Sequence, residues 1–415
     1  MATTPAAASR RSTFTPEAVA RPGTLERPGR IASIDVLRGI VVVLMAIDHV
    51  RVFSGVPAGG PTPGVFFTRW ITHFVAPAFV FLAGTAAFLH GQRLGDKKRL
   101  AKFLITRGVL LIALELTVIR IFWTFNLDFA SYMLAGVIWV IGWSMIALAG
   151  LVFLSTAVVG AFGVLVIFAH NLADIFLRPH MDAIQGSDFS GLWSIAYFAF
   201  ELPSIGPLVV LYSLVPWVGV MAAGYAFGAV FTLDAQRRRR ICLQVGAGAI
   251  VLFIALRWLN VYGDPRPWQV PPEAAGAWWP VVRSFLNTTK YPASLLFMLM
   301  TLGPAILLLP FLEKANNRLT RALEVFGRVP MFYYLLHIPL IHLLAMGVSL
   351  ARTGTVTPWL FQNHPMGMGP APEGYHWSLW LLYLVTAIAV TLLYFACRWY
   401  ARVKRESRNP FLSYL

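Results

Sequence analysis

The feature that most constrains this chain is a series of long apolar segments, each near the length of about twenty residues that an α-helix needs to cross a bilayer. About ten such segments follow one another along the chain. Hydrophobic residues make up 58% of the 415 residues and charged residues only 13%, roughly half the charged fraction of a soluble domain. The sequence therefore predicts an all-α, polytopic membrane protein, a bundle of about ten transmembrane helices.

The predicted spans cover most of the chain, and only a tight turn near Gly150 separates the fourth from the fifth. They are Ile34–Phe53, Phe74–His90, Phe103–Phe122, Met133–Gly150, Leu151–His170, Pro207–Leu233, Ile241–Leu259, Tyr291–Leu312, Met331–Leu350 and Trp377–Trp399. The first thirty residues are rich in Ala, Thr, Pro and Arg, which is typical of a disordered tail. We expect a tail over residues 1–30, a membrane domain over 31–402 and a basic C-terminal tail over 403–415.

Lys and Arg are concentrated in every second connection, beginning with the N-terminal tail and continuing around Lys97, Arg238 and Arg318 to Arg405. The positive-inside rule assigns such connections to the cytoplasm. The pattern predicts that both termini are cytoplasmic and that the chain is a multi-pass protein of the cell membrane, as in a bacterial inner membrane. It also accounts for most of the net charge of +16, so the expected partner is the lipid bilayer and not nucleic acid.

Polar side chains inside the first predicted span point to function, because such groups are costly in hydrocarbon and usually face a bundle interior or a wet cavity. This span contains Asp35, Arg38, Asp48 and His49. Arg38 and His49 are eleven positions apart, which at about 3.6 residues per turn places them on one helix face about 16 Å apart. Asp48 points about a quarter-turn away. A purely structural role is the alternative for two of them: Arg38 would reach the headgroups and Asp35 would cap the helix start.

Four stretches of the chain carry a family resemblance. The stretch SIDVLRG from Ser33 to Gly39, followed by His49, resembles the first helix of the transmembrane acyltransferases, the acyltransferase-3-like superfamily, whose hallmark is an Arg and a His separated by ten residues. Three further stretches resemble the bacterial branch of heparan-α-glucosaminide N-acetyltransferase-like proteins. They are PAFVFLAG at 77–84, NTTKYPASL at 287–295, and FGRVP at 326–330 followed by YYLLH at 333–337. The resemblance extends from about Arg30 to the C-terminus.

The resemblance implies acyl transfer, with acyl-CoA, expected to be acetyl-CoA, offered from the cytoplasm and a sugar or glycan acceptor on the far side. In that interpretation Arg38, with Asp35, holds the CoA phosphates. His49, with Asp48 beside it, acts as general base on the acceptor amine or hydroxyl. Acyl-CoA is then a co-substrate, and no permanently bound cofactor is expected. Direct transfer and transfer through an acyl-histidine both fit these residues, as do a monomer and an oligomer.

One departure from the family pattern limits what carries over. Eukaryotic lysosomal members are expected to use a His in the lumenal loop before the second helix, but the loop from Ser54 to Trp70 contains no His. His73 comes later, at the start of the second predicted span, and is a further catalytic candidate. Heparan therefore does not carry over as the acceptor.

The later matching stretches supply the remaining candidates. His337 is a catalytic candidate whose alternative is a packing histidine, and Tyr334, Asn287 and Lys290 are candidates for acceptor binding. His342 is about 140° around the helix from His337, so the two are not a metal pair, and no metal is expected.

For Glu115 and Arg120 in the third span, a structural pairing across about one and a half turns is the favoured role. Because Asp48 points away from the shared face, a carboxylate from another helix could orient His49, and Glu115 is the alternative candidate for that role.

Two other functional classes compete with an enzyme. Buried Asp, Arg and His also occur in transporters of small solutes or lipid-linked sugars. A sugar-binding protein that lacks catalysis is the second alternative. Acyl transfer or hydrolysis by the purified protein would separate the three.

Overall fold

Helices form about three quarters of the structure, as the apolar segments predict. The computed structural model describes residues 31–60, 62–270, 272 and 277–407. The longer helices are α1 (Ala32–Ser54), α3 (Val75–Leu94), α4 (Lys97–Leu114), α6 (Val137–Leu151), α7 (Thr156–Ala169), α11 (Leu214–Phe227), α12 (Ala235–Leu259), α14 (Leu295–Lys314), α15 (Arg318–Arg328), α16 (Pro330–Thr353) and α17 (Leu379–Glu406). The shorter ones are α2 (Pro63–Trp70), α5 (Arg120–Thr124), α8 (Leu172–Phe176), α9 (Met181–Gln185), α10 (Ser190–Trp193) and α13 (Trp278–Leu286).

Two three-residue strands are the only ladder among the described residues. Strand β1 (Met133–Ala135) pairs in parallel with β2 (Leu208–Val210), with Met133 opposite Leu208. Strand β1 ends two residues before α6 and β2 ends four residues before α11. Their pairing therefore holds the start of α6 beside the start of α11.

Seven described helical segments are long and apolar enough to cross a membrane. They are Pro63–Leu94, Thr156–Phe176, Leu214–Thr232, Ala235–Leu259, Leu295–Lys314, Pro330–Thr353 and Leu379–Glu406. Of the other three predicted spans, the first forms the 23-residue α1 with its charged residues, the third forms α4 and α5, and the fourth forms the 15-residue α6. The total of ten spans and the side on which the termini lie stay predictions.

Two element boundaries matter for the site. The third span is interrupted by a π-helical turn over Glu115–Ile119, between α4 and α5; such turns often occur at functional sites. The eighth begins at Leu295, four residues later than predicted, because the Ser294 side chain accepts a hydrogen bond from Phe297 N and caps the helix. Tyr291 therefore lies in the loop before α14.

Helix α1 is central, since it packs against α3, α14, α15, α16 and α17. Its N-terminal half lies directly on α15, which is strongly amphipathic in sequence and begins with a capping box at Asn317. The helices from Ala32 onward form one compact unit. Helix α17 continues to Glu406, past the predicted boundary at residue 402, and the predicted N-terminal tail lies outside the described residues.

Candidate active site

A cavity of about 590 Å³ lies at the C-terminal end of α1. Its wall mixes polar side chains with a larger apolar surface. The polar lining is Asp48, His49, Arg51, Arg69, Glu115, Tyr212, Tyr291, Tyr334 and His376; aromatic and thioether side chains in the lining include Trp123, Trp359, Phe200, Met366 and Met368. This composition, apolar walls with a few convergent polar groups, is typical of a small-molecule site.

His49 forms a hydrogen-bonded pair with a second histidine. Its Nδ1 is 2.7 Å from Nε2 of His337, and the edge of Trp123 packs against the His49 ring at a centroid distance of 4.8 Å. The structure thus brings together His49 from the first predicted span and His337 from the ninth, two residues that the sequence offers as separate candidates.

The partners of His337 fix the protonation pattern of the neutral pair. Nδ1 of His337 is 2.6 Å from the carbonyl oxygen of Tyr334, and a carbonyl oxygen only accepts, so Nδ1 of His337 carries the proton. Nε2 of His337 must then accept, and the donor is Nδ1–H of His49. The remaining ring nitrogen of His49, Nε2, is left with its lone pair. This is the tautomer that a general base requires.

Asp48 lines the same cavity as His49 and binds two arginines. Its Oδ1 accepts from Nε of Arg51 at 3.1 Å, and its Oδ2 accepts from Nη1 of Arg69 at 3.2 Å. Arg69 Nη1 also donates to Thr72 Oγ1 at 3.1 Å. The Asp48 carboxylate is therefore bound by two guanidinium groups, and it holds Arg51 and Arg69 in position.

Glu115 lies on the cavity wall, and its carboxyl binds the start of α6 in the described part of the chain, so the alternative role of orienting His49 gains no support. Its Oε2 accepts from Ile138 N at 3.2 Å, so the carboxyl caps the start of α6 from another helix. Gly136 permits this approach, because a Cβ at that position would lie 2.2 Å from Glu115 Oε1. The hydroxyl of Tyr334 is a further hydrogen-bonding partner of Glu115.

Arg120 does not pair with Glu115 in the described part of the chain. Its Nε donates to the carbonyl oxygen of Tyr132 at 3.0 Å, and its Nη1 donates to Thr124 Oγ1 at 3.2 Å and to the carbonyl oxygen of Asn126. The buried guanidinium therefore stabilises the loop between α5 and β1. Backbone carbonyl oxygens accept its hydrogen bonds in place of a carboxylate.

The three candidates for acceptor binding separate in space. Tyr334 lines the cavity. Lys290 is 8% exposed and does not reach outward as a headgroup anchor would; its Nζ lies 5.1 Å from the ring centroid of Tyr291, which lines the cavity. Asn287 is exposed, its carbonyl oxygen accepts from Arg257 at 3.1 Å, and it is not among the cavity-lining residues of the described chain.

Burial and neighbouring charges shift the titration of the loop before α14. Burial lowers the pKa of the Lys290 ammonium and Arg69 lowers it further, against the opposing effect of Tyr291. Burial raises the pKa of Tyr291, but Lys290 and Arg69 outweigh this, so the pKa of Tyr291 lies below its ordinary value. Its hydroxyl is 3.4 Å from that of Tyr212, whose pKa is raised by burial.

His73 is buried in a short 3₁₀ turn between α2 and α3, where its ring meets the edge of Phe297 at 5.5 Å. It is not among the described residues that line the cavity. Its position between the cavity and α14 suits a packing role, and a catalytic role for it stays a prediction.

Arg38 and Asp35 lie toward the other end of α1. Arg38 donates to Leu82 O at 3.2 Å and to Asp35 Oδ1 at 3.4 Å. The separation of eleven residues from His49 corresponds to about 16 Å along the helix. Neither residue is part of the cavity lining in the described chain, so one cavity does not hold both members of the Arg–His pair.

Sequence reasoning missed several residues of the cavity. Arg51 follows His49 by two positions and reads as a helix-end charge, and Arg69 stands outside the predicted spans. Tyr212 lies near the start of the sixth predicted span, with no motif around it. A usable signal was present for Tyr291, which lies within the third matching stretch, NTTKYPASL. The two arginines carried no motif, and only the fold brings them to Asp48.

The comparison with known families decides the class of protein. The model of the catalytic domain of heparan-alpha-glucosaminide N-acetyltransferase matches residues 30–262, more than half of the chain. This chain belongs to that family. The heparan-alpha-glucosaminide N-acetyltransferase match includes His49, Arg69 and Glu115 but ends before His337 and Tyr291, so the two later stretches of resemblance lie outside it.

The family makes the chain an acetyltransferase-type enzyme of the membrane, and its members use acetyl-CoA as co-substrate. A search of curated proteins found no match. In the described part of the chain, no three His, Cys, Asp or Glu side chains are grouped so that they could hold a metal ion.

Proposed function

We propose that this chain transfers an acetyl group from acetyl-CoA to an amine or hydroxyl of a sugar or glycan at the outer face of the membrane. Family membership supports acetyl transfer. The observation that carries the assignment of the site is the hydrogen bond between His49 and His337 at the wall of the 590 Å³ cavity. That bond leaves Nε2 of His49 able to take a proton.

The chemistry follows from this tautomer. As the acceptor nitrogen or oxygen attacks the thioester carbonyl carbon, Nε2 of His49 takes its proton. The C–S bond then breaks, and CoA leaves as a thiol after the imidazolium returns the proton to sulfur. His337 does not touch the reacting atoms; it is a positioning residue that holds Nδ1–H of His49, as the carboxylate does in a Ser-His-Asp triad. General base catalysis of this kind contributes about 10²- to 10⁴-fold in rate.

The donor is proposed to enter from the cytoplasm along α1. Arg38 lies near the N-terminal end of the helix, which the positive-inside rule assigns to the inner face, and a guanidinium binds phosphate with two parallel hydrogen bonds. The pantetheine arm of CoA links phosphate to thioester, so a donor held at Arg38 would extend along α1 toward His49. Asp35 orients the guanidinium through its contact with Nη1.

The acceptor is proposed to enter from the opposite side. Part of the cavity lining comes from the segments 55–58 and 365–371, and neither segment contains Lys or Arg. The loops that contain them are those that the positive-inside rule leaves on the outer face. Apolar and aromatic walls with few polar groups suit the faces of a sugar ring.

The test uses purified protein in detergent with radiolabelled acetyl-CoA and an amino sugar. His49→Ala is expected to lower kcat by at least about 100-fold, while the Kd for acetyl-CoA stays within about three-fold because Arg38 is untouched. His90→Ala, on α3 outside the cavity lining, is the matched control and should retain turnover.

His337 separates a positioning role from a packing role. His337→Ala should lower kcat with little change in KM, and His337→Gln should recover part of the rate, because its amide oxygen accepts from Nδ1–H of His49. Near-normal turnover of His49→Ala, together with loss of turnover in His73→Ala, would place the base elsewhere. Binding of a sugar without any transfer would favour a transporter or a sugar-binding protein that lacks catalysis.

A further inference from the structure

Three cationic side chains lie beside His49 without a part in the acetyl transfer described above. Arg51 comes from the end of α1, Arg69 from α2 and Lys290 from the loop before α14. Arg51 and Arg69 line the same cavity as His49, and Lys290 is close behind Tyr291, another lining residue. Two parts of the chain thus bring positive charge to the cavity wall, and a third brings it to the far side of Tyr291.

Asp48 organises the two arginines. Arg51 Nε and Arg69 Nη1 both bind its carboxylate, at 3.1 and 3.2 Å, and Arg51 Nη1 is fixed by Val56 O at 3.1 Å. The side chains of Arg51 and Arg69 are 10% and 12% exposed. Both guanidinium groups are therefore held in place before any ligand arrives, which reduces the entropy cost of binding.

The charges of this cluster do not balance. Among the described residues, Asp48 is the one carboxylate in ion-pair contact with this cluster; it binds Arg51 and Arg69, and Lys290 has no ion pair. Glu115 lines the cavity too, but its carboxyl is bound to the start of α6. Burying cations in excess is costly unless a counter-charge reaches them. A ligand that brings a negative charge into the cavity would supply it.

The hydroxyl groups around the cluster point to the same ligand. Tyr291 and Tyr212, 3.4 Å apart, are further hydrogen-bond donors on the cavity wall. Arginine forks and hydroxyl groups together form the donor set that carboxylates and phosphates require. Lys290 and Arg69 lower the pKa of Tyr291 against the effect of burial, in keeping with the donors that surround this part of the cavity.

We propose that Arg51, Arg69 and Lys290 form a subsite for an anionic group, a carboxylate or a phosphate ester, carried by the acceptor. Because Asp48 and His49 are adjacent in sequence, an acceptor anchored by its anion would present its amine or hydroxyl to His49. That the anion belongs to an acceptor rests on the proposed acetyl transfer. The presence of the anion site does not depend on that proposal.

The first experiment measures binding alone. Inorganic phosphate is titrated into the purified protein by calorimetry, and its thermal stabilisation of the protein is measured in parallel. Arg69→Gln and Lys290→Gln are expected to raise the Kd for phosphate at least ten-fold. Lys290 holds no ion pair among the described residues, so Lys290→Gln keeps the test valid if Arg69→Gln does not fold. The control is Arg352→Gln, whose guanidinium binds backbone carbonyl groups of Tyr375 and Gly374 and should leave phosphate binding unchanged.

The second experiment compares acceptors. Glucosamine, glucosamine 6-phosphate and 2-amino-2-deoxyglucuronic acid are offered with acetyl-CoA, and the ratio of kcat/KM for each anionic sugar over glucosamine is measured. The wild-type ratio should be at least ten for one of them, which identifies phosphate ester or carboxylate as the preferred group. Arg69→Gln and Lys290→Gln should bring that ratio close to one, and Arg352→Gln should not.

The outcomes distinguish the two proposals. Transfer to glucosamine with no preference for either anionic sugar, and no phosphate binding that depends on Arg69 or Lys290, would overturn the subsite and leave the proposed function standing. Phosphate binding that is lost in these variants, with no transfer to any sugar, would support the subsite and overturn the proposed function.

Discussion

The two ends of helix α1 carry the same kinds of charged residue in opposite surroundings. At the N-terminal end, α15 is so close that a Cβ added to Gly39 would lie 1.9 Å from the carbonyl oxygen of Leu323. A Cβ on Gly327 would lie 1.8 Å from the carbonyl oxygen of Asp35. Here backbone packs on backbone, and Arg38 satisfies its donors on Leu82 O and Asp35.

At the C-terminal end, the side chains of α1 face open space. Asp48, His49 and Arg51 line a cavity of about 590 Å³. Asp48 binds both Arg51 and Arg69, and His49 depends on a histidine from α16 for its tautomer. The contrast teaches that charges in one apolar helix divide into a packed seam and a cavity wall, and that the neighbouring helices decide which charges belong to each.

The packed seam predicts the largest effect on stability. Gly39→Ala places a methyl group against the carbonyl oxygen of Leu323, which belongs to the backbone and cannot rotate away. Overpacking of this kind costs about 1–3 kcal/mol, and the contact distance here places the expected loss in the free energy of unfolding near the upper figure. Denaturant titration of the detergent-solubilised protein would measure it.

The matched control for the seam is Gly347→Ala on α16, where nothing lies within 4 Å of an added Cβ. In a helix interior, Ala is favoured over Gly by about 0.5–1 kcal/mol, so this variant should be unchanged or slightly more stable. Equal destabilisation by Gly39→Ala and Gly347→Ala would show that α15 does not lie against α1 as described.

Arg38 tests whether the N-terminal end also has a binding role. Arg38→Ala should weaken acetyl-CoA binding about ten-fold, because a charge-assisted hydrogen bond is worth about 1.5–3 kcal/mol. Arg38→Lys should recover only part, since an ammonium cannot form the bidentate phosphate contact. Calorimetric titration with acetyl-CoA would measure both.

Arg99→Ala is the control for general electrostatic attraction, because Arg99 is a highly exposed cation at the start of α4 on the same predicted side. It should change the Kd for acetyl-CoA far less than Arg38→Ala does. Unchanged acetyl-CoA affinity in Arg38→Ala would restrict the N-terminal end of α1 to packing.

Much of the fold could be predicted from sequence because the bilayer imposes it: apolar runs of about twenty residues have few alternatives to a helix. His49 was also predictable, since an imidazole in an apolar helix must face a polar interior. Its orienting partner was not. Glu115 was one candidate carboxylate from another helix, but the helix start that it caps is visible only in the fold.

Arg69 was not among the predicted site residues, and Lys290 was predicted to bind the acceptor, but the contacts and burial of these two cations could not be predicted from the sequence, for a different reason. Both stand at predicted span ends, where a cation normally reaches the headgroups. The structure buries Lys290 and pairs Arg69 with Asp48, because the loops before α3 and α14 fold back over the end of α1. The rule that cations at span ends reach the headgroups does not predict which segments fold back over a helix end.

The smallest expected effect concerns His364, which packs over the C-terminal end of α1 with its ring centroid 5.0 Å from that of Phe53. The residue lies in the loop after α16 and is fully buried. Burial lowers the pKa of His364 to about 4; the hydrogen bond to the carbonyl oxygen of Trp359 opposes this shift, and His342 adds to it.

The sign of the pH effect follows from this lowered pKa. The unfolded chain binds the proton at the ordinary pKa of 6.5, so below that pH protonation favours unfolding until the folded state also binds the proton, near pH 4. The stabilisation is full above about pH 6.5 and is lost as the pH falls toward 4, at up to about 1.4 kcal/mol per pH unit. Between pH 7 and 5.5 the expected loss in the free energy of unfolding is about 1 kcal/mol.

His364→Gln should remove this dependence, because its amide still donates to the carbonyl oxygen of Trp359 but does not titrate. Denaturant titrations at pH 7 and 5.5 would compare it with the wild-type protein and with His180→Gln, which replaces an exposed histidine. The difference between the two pH values should shrink by about 1 kcal/mol in His364→Gln alone. Hydrogen exchange over residues 358–376 should show the same difference locally, since this loop covers the reactive end of α1. If the free energy of unfolding of His364→Gln keeps the full pH dependence, the proton is taken up by another group. His364, which packs on Phe53, is then not the source of the pH sensitivity.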